Sequence, residues 1–559
     1  RQVLGNVARS EPLARREESP SPRTLPERED SKAIEDLYVV GSGDGEIPGP
    51  ALIGAKGYGL ARMAHAKLSV PDAAILGTAA YQRFAEGRDE AGLRTLVSAA
   101  LGALQQRSGL RLGSARRPLI ISVRSGAAAS MPGMLETVLN VGLCDESVEG
   151  LIALTGNPRL AWDSYRRLVE SYARVVANCP LEPFEQATAE RMQAAGVQRP
   201  RDLDAGTLAA LTAEHLERFR AATGKPLPQN PVEQVQNAVR AVLDSWDAPK
   251  AREYRRLHDL PETLGTAVIL QRMVFGNAGG LSGSGVGFTR DPLTGERHPY
   301  IEFLRDTQGE EIVSGRNAPE DGGHLELLAP EIHRRLQEIS HVLERELHDA
   351  QEFEFTVQEG HLFLLQTRAA KCTPWASLHI AVDQVRESII SSEEARRRLA
   401  GLDLQGIHRT HVNENDGARE ICRGQPVSAG VASGPIALDV KAAKRLADQG
   451  TDPILVRRAA STEDLAGLIV AAGLLTADGG RTSHAAVVAR EVGKPCVVGA
   501  GGLDIDLRGR GVTIDGHKFA EGEEISIDGT TGRVFAGAVQ LEDERPTAEL
   551  AAVASWESA

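Results

Sequence analysis

Apolar and polar positions along the chain fall into blocks with distinct periods. Leu119-Ile-Ile-Ser-Val-Arg124 and Thr266–Phe275 are short apolar runs, the pattern of buried strands. Tyr38–Gly41 predicts a further short strand. Glu352–Val357 and His361–Arg368 alternate on either side of a Glu359-Gly360 turn and predict a β-hairpin. After Thr266–Phe275 comes Gly276-Asn-Ala-Gly-Gly-Leu-Ser-Gly-Ser-Gly-Val-Gly287, then a strand over Val286–Arg290, which predicts a second hairpin with a glycine-rich tip. Residues 157–180 repeat at helical spacing, with Trp and Tyr on the core face. Residues 188–258 are charged and helical in pattern, as expected of a satellite subdomain. Leu465–Leu475 reads as a buried strand or a helix leading into one. A Gly479-Gly480 turn follows, then Thr482 and Ser483 as N-cap residues, and Gly493-Lys494-Pro495 as a stop. The two termini differ from the rest: the first 36 residues lack apolar periodicity, as in a disordered arm, and Leu541–Ala559 is a polar, Ala-rich ending expected to fray.

A chain of 559 residues exceeds one core and predicts three or four domains of mixed α/β (α+β) class. Sixty-three basic against 77 acidic residues leave a net charge of −14, which argues against nucleic-acid and acidic-membrane binding but permits a local basic pocket. No apolar run approaches a membrane span, and no secretory signal core is visible. The first residue is Arg1 rather than Met, so processing or trimming stays open. Cys144, Cys179, Cys372, Cys422 and Cys496 have no paired spacing, which predicts free thiols and a reducing cytoplasmic setting.

Candidate chemistry concentrates at a few positions. His484 would open a helix, where unpaired N–H groups and the positive dipole end keep an imidazole neutral and can hold a phosphoryl group. That suits a nucleophile forming phosphohistidine. Lys56, flanked by glycines before an Ala-rich helix, could serve as a point charge for phosphate. Arg124 at the end of a core strand would be costly unless it meets an anion in a cleft or a structural ion-pair partner. Across the predicted hairpin, Glu354 and Gln366 supply oxygen ligands suited to Mg2+ on phosphates, with Arg368 beside them to neutralise charge.

Together, Ser122–Asn140, Met273–Asn277 with Gly285–Arg290, Gln366-Thr-Arg368 and the Gly479–Arg490 block closely resemble pyruvate phosphate dikinase, in the same order and over roughly residues 40–535. The resemblance implies an ATP-grasp nucleotide-binding domain over 37–372, with a helical subdomain at about 188–260. A helical linker over 373–423, a swivelling β/β/α phosphohistidine domain over 424–540 and a tail over 541–559 would follow. It further implies that Lys56, Arg124 and Arg368 handle ATP phosphates, that Glu354 and Gln366 hold Mg2+, and that Gln271, Met273 and Val274 lie beside adenine. Ser282, Gly283, Ser284 and Gly285 would cover the phosphates, Glu302 and Gln308 would line the site, and His484 would carry the group.

By that resemblance ATP pyrophosphorylates His484 and releases AMP. Phosphate then accepts the outer group as pyrophosphate, and pyruvate or another small molecule accepts the rest. The residues after His484 are too few for a barrel of about 250 residues, which implies a separate pyruvate- or phosphoenolpyruvate-binding barrel subunit. A homodimer is also allowed. Asp478 and Arg481 stand where dikinases usually have Arg and Met. Arg481 is closer to phosphoenolpyruvate synthase, so phosphate and water both stay open as co-substrate. Transfer to a different acceptor and a non-turnover carrier module are the alternatives.

Overall fold

A computed structural model describes residues 36–41, 46–87, 89–129, 131, 133–309, 320–413, 417–459, 464–481, 486, 489–490 and 492–556. The predicted N-terminal arm falls outside them, apart from Asp36. Among the described residues no helix is long and apolar enough to cross a membrane.

The first half is built on two antiparallel sheets. In one, Thr266–Arg272 is central, flanked by Ala73–Leu76 and Ile121–Ala127, with Leu37–Val39 and Thr137–Val141 at the edges. Its run of apolar residues has a physical cause: Val268 and Leu270 face one core while Ala267 and Ile269 face another. The other sheet runs Glu320–Asp321, Tyr300–Arg305, Gly283–Phe288, Gln351–Gln358, His361–Ala369. Its last two strands form the expected hairpin, with Glu354 opposite Gln366 and Glu352 opposite Arg368. Helix Pro330–Leu347 covers this sheet, packing Leu336, Ile339 and Leu343 into one cluster with Phe353 and Phe355. Each fully buried phenyl ring there contributes about 2 kcal/mol.

The glycine-rich hairpin is not formed. Thr266–Arg272 and Gly283–Phe288 lie in different sheets, and the glycines sit inside a buried strand rather than at a tip. A Cβ on Gly283 would lie 2.3 Å from a Phe303 ring atom, and one on Gly285 would lie 2.1 Å from Phe355. The glycines are there to admit two stacked rings whose centroids are 6.1 Å apart.

The predicted helix over 157–180 forms as Pro158–Val175, with Tyr165 and Tyr172 buried. Residues 182–257 are helical as expected, in four α-helices from Glu182–Ala195 to Pro249–Leu257. They are less separate than a satellite, however. Leu227, Val235, Val239 and Trp246 share one core with Val123 and Leu270 of the sheet, while only Ala187, Leu203, Leu208 and Leu211 form a cluster of their own.

Beyond the hairpin, helices Pro374–Arg386 and Ser392–Leu399 match the helical linker, but Arg409–Val412 and Glu420–Arg423 are strands. Through Trp556 the ending is structured rather than frayed. Leu541–Glu544 pairs with Arg409–Val412, and helix Thr547–Ser555 packs Val553 and Leu550 against Trp375 and Leu378. Arg409 closes the contact by stacking 4.4 Å from the Trp375 ring while its Nε donates to Glu544 at 2.6 Å.

Between these two paired strands lies a second α/β unit. Its eight-stranded sheet has Val431–Ala437, Ile454–Arg457, Gly473–Thr476 and Cys496–Val498 side by side and parallel. The run Leu465–Leu475 resolves as a helix, Leu465–Val470, leading into the strand Gly473–Thr476. A separate three-stranded sheet spans Leu503–Ala520.

Candidate active site

A cleft of about 900 Å³ opens between the two N-terminal sheets. Lys56, Arg124, Gln271, Met273, Val274, Gln308, Glu354, Gln366 and Arg368 all line it. Lys56 owes its place to a break in helix Pro50–His65. Gly54 adopts φ +72°, and a Cβ there would lie 1.8 Å from the Gly126 carbonyl oxygen. Only glycine lets the helix start press against the Ile121–Ala127 strand and turn Lys56 inward. The ammonium is half-buried with little water around it. Desolvation, then the nearby Arg124 charge, pulls its pKa down to about 8, partly opposed by Glu354.

Arg124 ties the two sheets together. Its Nη1 donates to Gln271 Oε1 at 3.2 Å and to the Leu365 carbonyl at 3.4 Å, and its Nη2 donates to Gln366 Oε1 at 2.8 Å and Glu354 Oε2 at 3.4 Å. Because Gln271 accepts through Oε1, its amide nitrogen is turned away, buried and without a hydrogen-bond partner among the described residues. It is a donor awaiting an acceptor. Arg368 Nη2 donates to Glu352 Oε1 at 2.5 Å, a partner that alternation alone did not single out.

Glu354 and Gln366 face each other across the hairpin and direct their oxygens at one guanidinium. Among the described residues no group of three or more His, Cys, Asp or Glu could hold a metal by itself. One carboxylate plus one amide oxygen nevertheless fits Mg2+, which takes few protein ligands and completes its shell with phosphate and water.

Five expected site residues do not line the cleft. Ser282, Gly283, Ser284 and Gly285 are packed into the second sheet, where Ser284 Oγ donates to the Thr307 carbonyl at 3.0 Å. Glu302, fully buried, instead meets the second α/β unit: its Oε1 accepts the backbone N–H of Arg481 at 2.6 Å and the Tyr300 hydroxyl at 3.1 Å. Arg481 Nη1 donates to Asp291 at 3.0 Å, and its guanidinium lies 4.1 Å from the Tyr300 ring centroid. Arg490 Nη1 donates to the Arg481 carbonyl at 2.8 Å. Asp291 also caps a tight turn, accepting from the N–H groups of Leu293 and Thr294.

His484 lies outside the described residues, as do Thr482 and Ser483. Around them Gly479 adopts φ 114° and Gly493 φ 66°, and the N–H of Lys494 bonds to the Ala489 carbonyl at 3.0 Å, closing the helix where predicted.

Residues 90–322 match the pyruvate phosphate dikinase AMP/ATP-binding domain, and residues 450–532 match the mobile domain of PEP-utilising enzymes. The chain is 39% identical to pyruvate, phosphate dikinase of Clostridium symbiosum over 510 residues, which cover 90% of this chain and 58% of that protein. It carries the AMP/ATP-binding domain of pyruvate phosphate dikinases and the mobile domain of PEP-utilising enzymes. The Rhizobium meliloti dikinase is 38% identical over 94% of this chain and 60% of its own length. The chloroplastic dikinase 1 of Zea mays is 39% identical over 92% and 55%. The chain thus spans a little over half the length of these relatives. The AMP/ATP-binding match covers Arg124, Gln271, Met273, Val274 and Gln308 of the cleft, and the mobile-domain match covers Arg481, Arg490 and His484.

Proposed function

We propose that this chain carries out the nucleotide half-reactions of a pyruvate phosphate dikinase. ATP would bind in the cleft, with Gln271, Met273 and Val274 at the base and Lys56, Arg124 and Arg368 at the phosphates. The observation carrying this is the convergence of three cationic side chains and the Glu354–Gln366 oxygen pair on one cleft. Mg2+ held by that pair would neutralise charge on the transferring group. The chain's own part is electrostatic and positional: Arg124 releases Glu354 and Gln366 as it turns to phosphate, and Lys56 supplies a positive charge wherever it is protonated. His484 would attack the β-phosphorus, the bond to the α-phosphate oxygen would break, and AMP would leave. Phosphate would then take the outer group as pyrophosphate, and the remaining phosphoryl group would pass to pyruvate. That last step would fall to a pyruvate-binding barrel.

The test uses ATP labelled at the β position and, in parallel, at the γ position. Label on the polypeptide with AMP released supports the proposal, provided His484→Ala abolishes both. ADP release with only the γ label retained would reject a dikinase in favour of an ordinary kinase. Adding phosphate separates the co-substrates, since pyrophosphate should then appear and the γ label leave the chain while the β label stays on it.

A further inference from the structure

Gln308, in the cleft wall and 2% exposed, belongs to a buried chain of amides that ends on a carboxylate. Asp163 accepts from Arg166 Nη2 at 2.8 Å and from Arg167 Nε at 2.8 Å. It also accepts from Asn277 Nδ2 at 3.3 Å. Asn277 Oδ1 accepts from Gln308 Nε2 at 3.4 Å, and the same Nε2 donates to Ser164 Oγ at 3.1 Å. Gln308 Oε1 accepts in turn from Asn140 Nδ2 at 3.4 Å. Asn140 is fully buried and held at φ 58°, a conformation asparagine tolerates better than most residues.

An amide can point either way, but this chain has one anchored end. An ionised carboxylate only accepts, so Asn277 must present its NH2 to Asp163 and its oxygen to Gln308. Gln308 must then present its NH2 to Asn277 and Ser164 and its oxygen to Asn140. Both Gln308 N–H groups are thereby used inside the protein, while Oε1 keeps a second lone pair. Two guanidiniums hold the Asp163 carboxyl far below the usual carboxylate range, against the burial that would raise it, so the anchor stays ionised at neutral pH.

From this wiring we infer that Gln308 presents a fixed acceptor oxygen to the cleft and recognises a hydrogen-bond donor of the nucleotide, a ribose hydroxyl or the base amine, rather than a phosphate oxygen. Asn277 is the positioning residue that carries the direction of Asp163 to it. The inference rests on the proposed ATP site and deepens it.

Binding to the full chain is measured by calorimetry with ATP, 2′-deoxy-ATP, 3′-deoxy-ATP and purine riboside triphosphate, which lacks the amine. One of the three analogues should bind about tenfold more weakly than ATP, and which one identifies the donor. In Gln308→Met that ratio should fall below about threefold. In Asn277→Leu, which leaves the Asp163–arginine pairs intact, the ratio should fall similarly. Equal binding of all four nucleotides by the unsubstituted chain overturns the inference, as does a ratio that survives Gln308→Met. Failure of ATP itself to bind is a different outcome and removes the nucleotide site altogether.

Discussion

Lys56 gives the sharpest test of the cleft. Its ammonium titrates near pH 8 in the free protein because burial and the Arg124 and Arg368 charges disfavour its charged form. A bound polyphosphate would reverse that balance and raise the pKa. Binding should therefore take up a proton wherever the free lysine is neutral, and affinity should fall as pH rises through the free value. With a free pKa near 8, about one lysine in ten is neutral at pH 7, half at pH 8 and roughly nine in ten at pH 9. ATP affinity should drop about tenfold from pH 7 to pH 9, or about 1.4 kcal/mol. The terminal phosphate, with a second pKa near 6, contributes little in that window. Calorimetry at pH 8 in two buffers of different ionisation enthalpy should report an uptake of about half a proton. In Lys56→Met binding should weaken and the uptake disappear. A pH-independent affinity between 7 and 9, or the same uptake in Lys56→Met, would refute the placement of this ammonium at the phosphates.

Three further outcomes are expected. Asp291→Asn keeps the turn cap but removes the charge that Arg481 meets, both side chains being only 10% exposed. It should weaken mobile-domain docking by about 1–3 kcal/mol, read as faster proteolysis around residue 480 and slower AMP release, and unchanged values of both would count against the contact. Gly285→Ala should cost about 1–3 kcal/mol in urea unfolding because a ring must move, and a loss under about 0.5 kcal/mol would mean the strand has room. Val553→Asp should detach the last helix at a cost of several kcal/mol and red-shift the Trp375 emission, whereas no spectral change would favour a frayed end.

Much of the cleft was legible because its residues sit on local patterns. The alternation through Glu352–Arg368 fixed a hairpin, and a hairpin fixes which residues oppose each other, so Glu354 and Gln366 met as expected. Arg124 stood out because a charge ending an apolar strand needs a partner. What stayed hidden depends on distant contacts. Gly283 and Gly285 read as a flexible tip because the rings that require them, Phe303 and Phe355, lie elsewhere in the chain. Glu302 read as a ligand-facing carboxylate, and nothing local says that a backbone N–H of Arg481 would occupy it. The last segment is polar in composition and looks loose until Arg409–Val412 pairs with it.

That pairing makes the mobile domain an excursion from a β-ribbon. Val412, where the chain departs, stands opposite Leu541, where it returns, so entry and exit are neighbours about 5 Å apart. The covalent connection of this unit to the rest of the molecule is thus one doubled stalk, whose two halves can twist only in concert. The whole unit is thereby a cassette: it could be cut out at the stalk and the gap bridged by a tight turn, leaving the nucleotide cleft and its supporting helices without an open end.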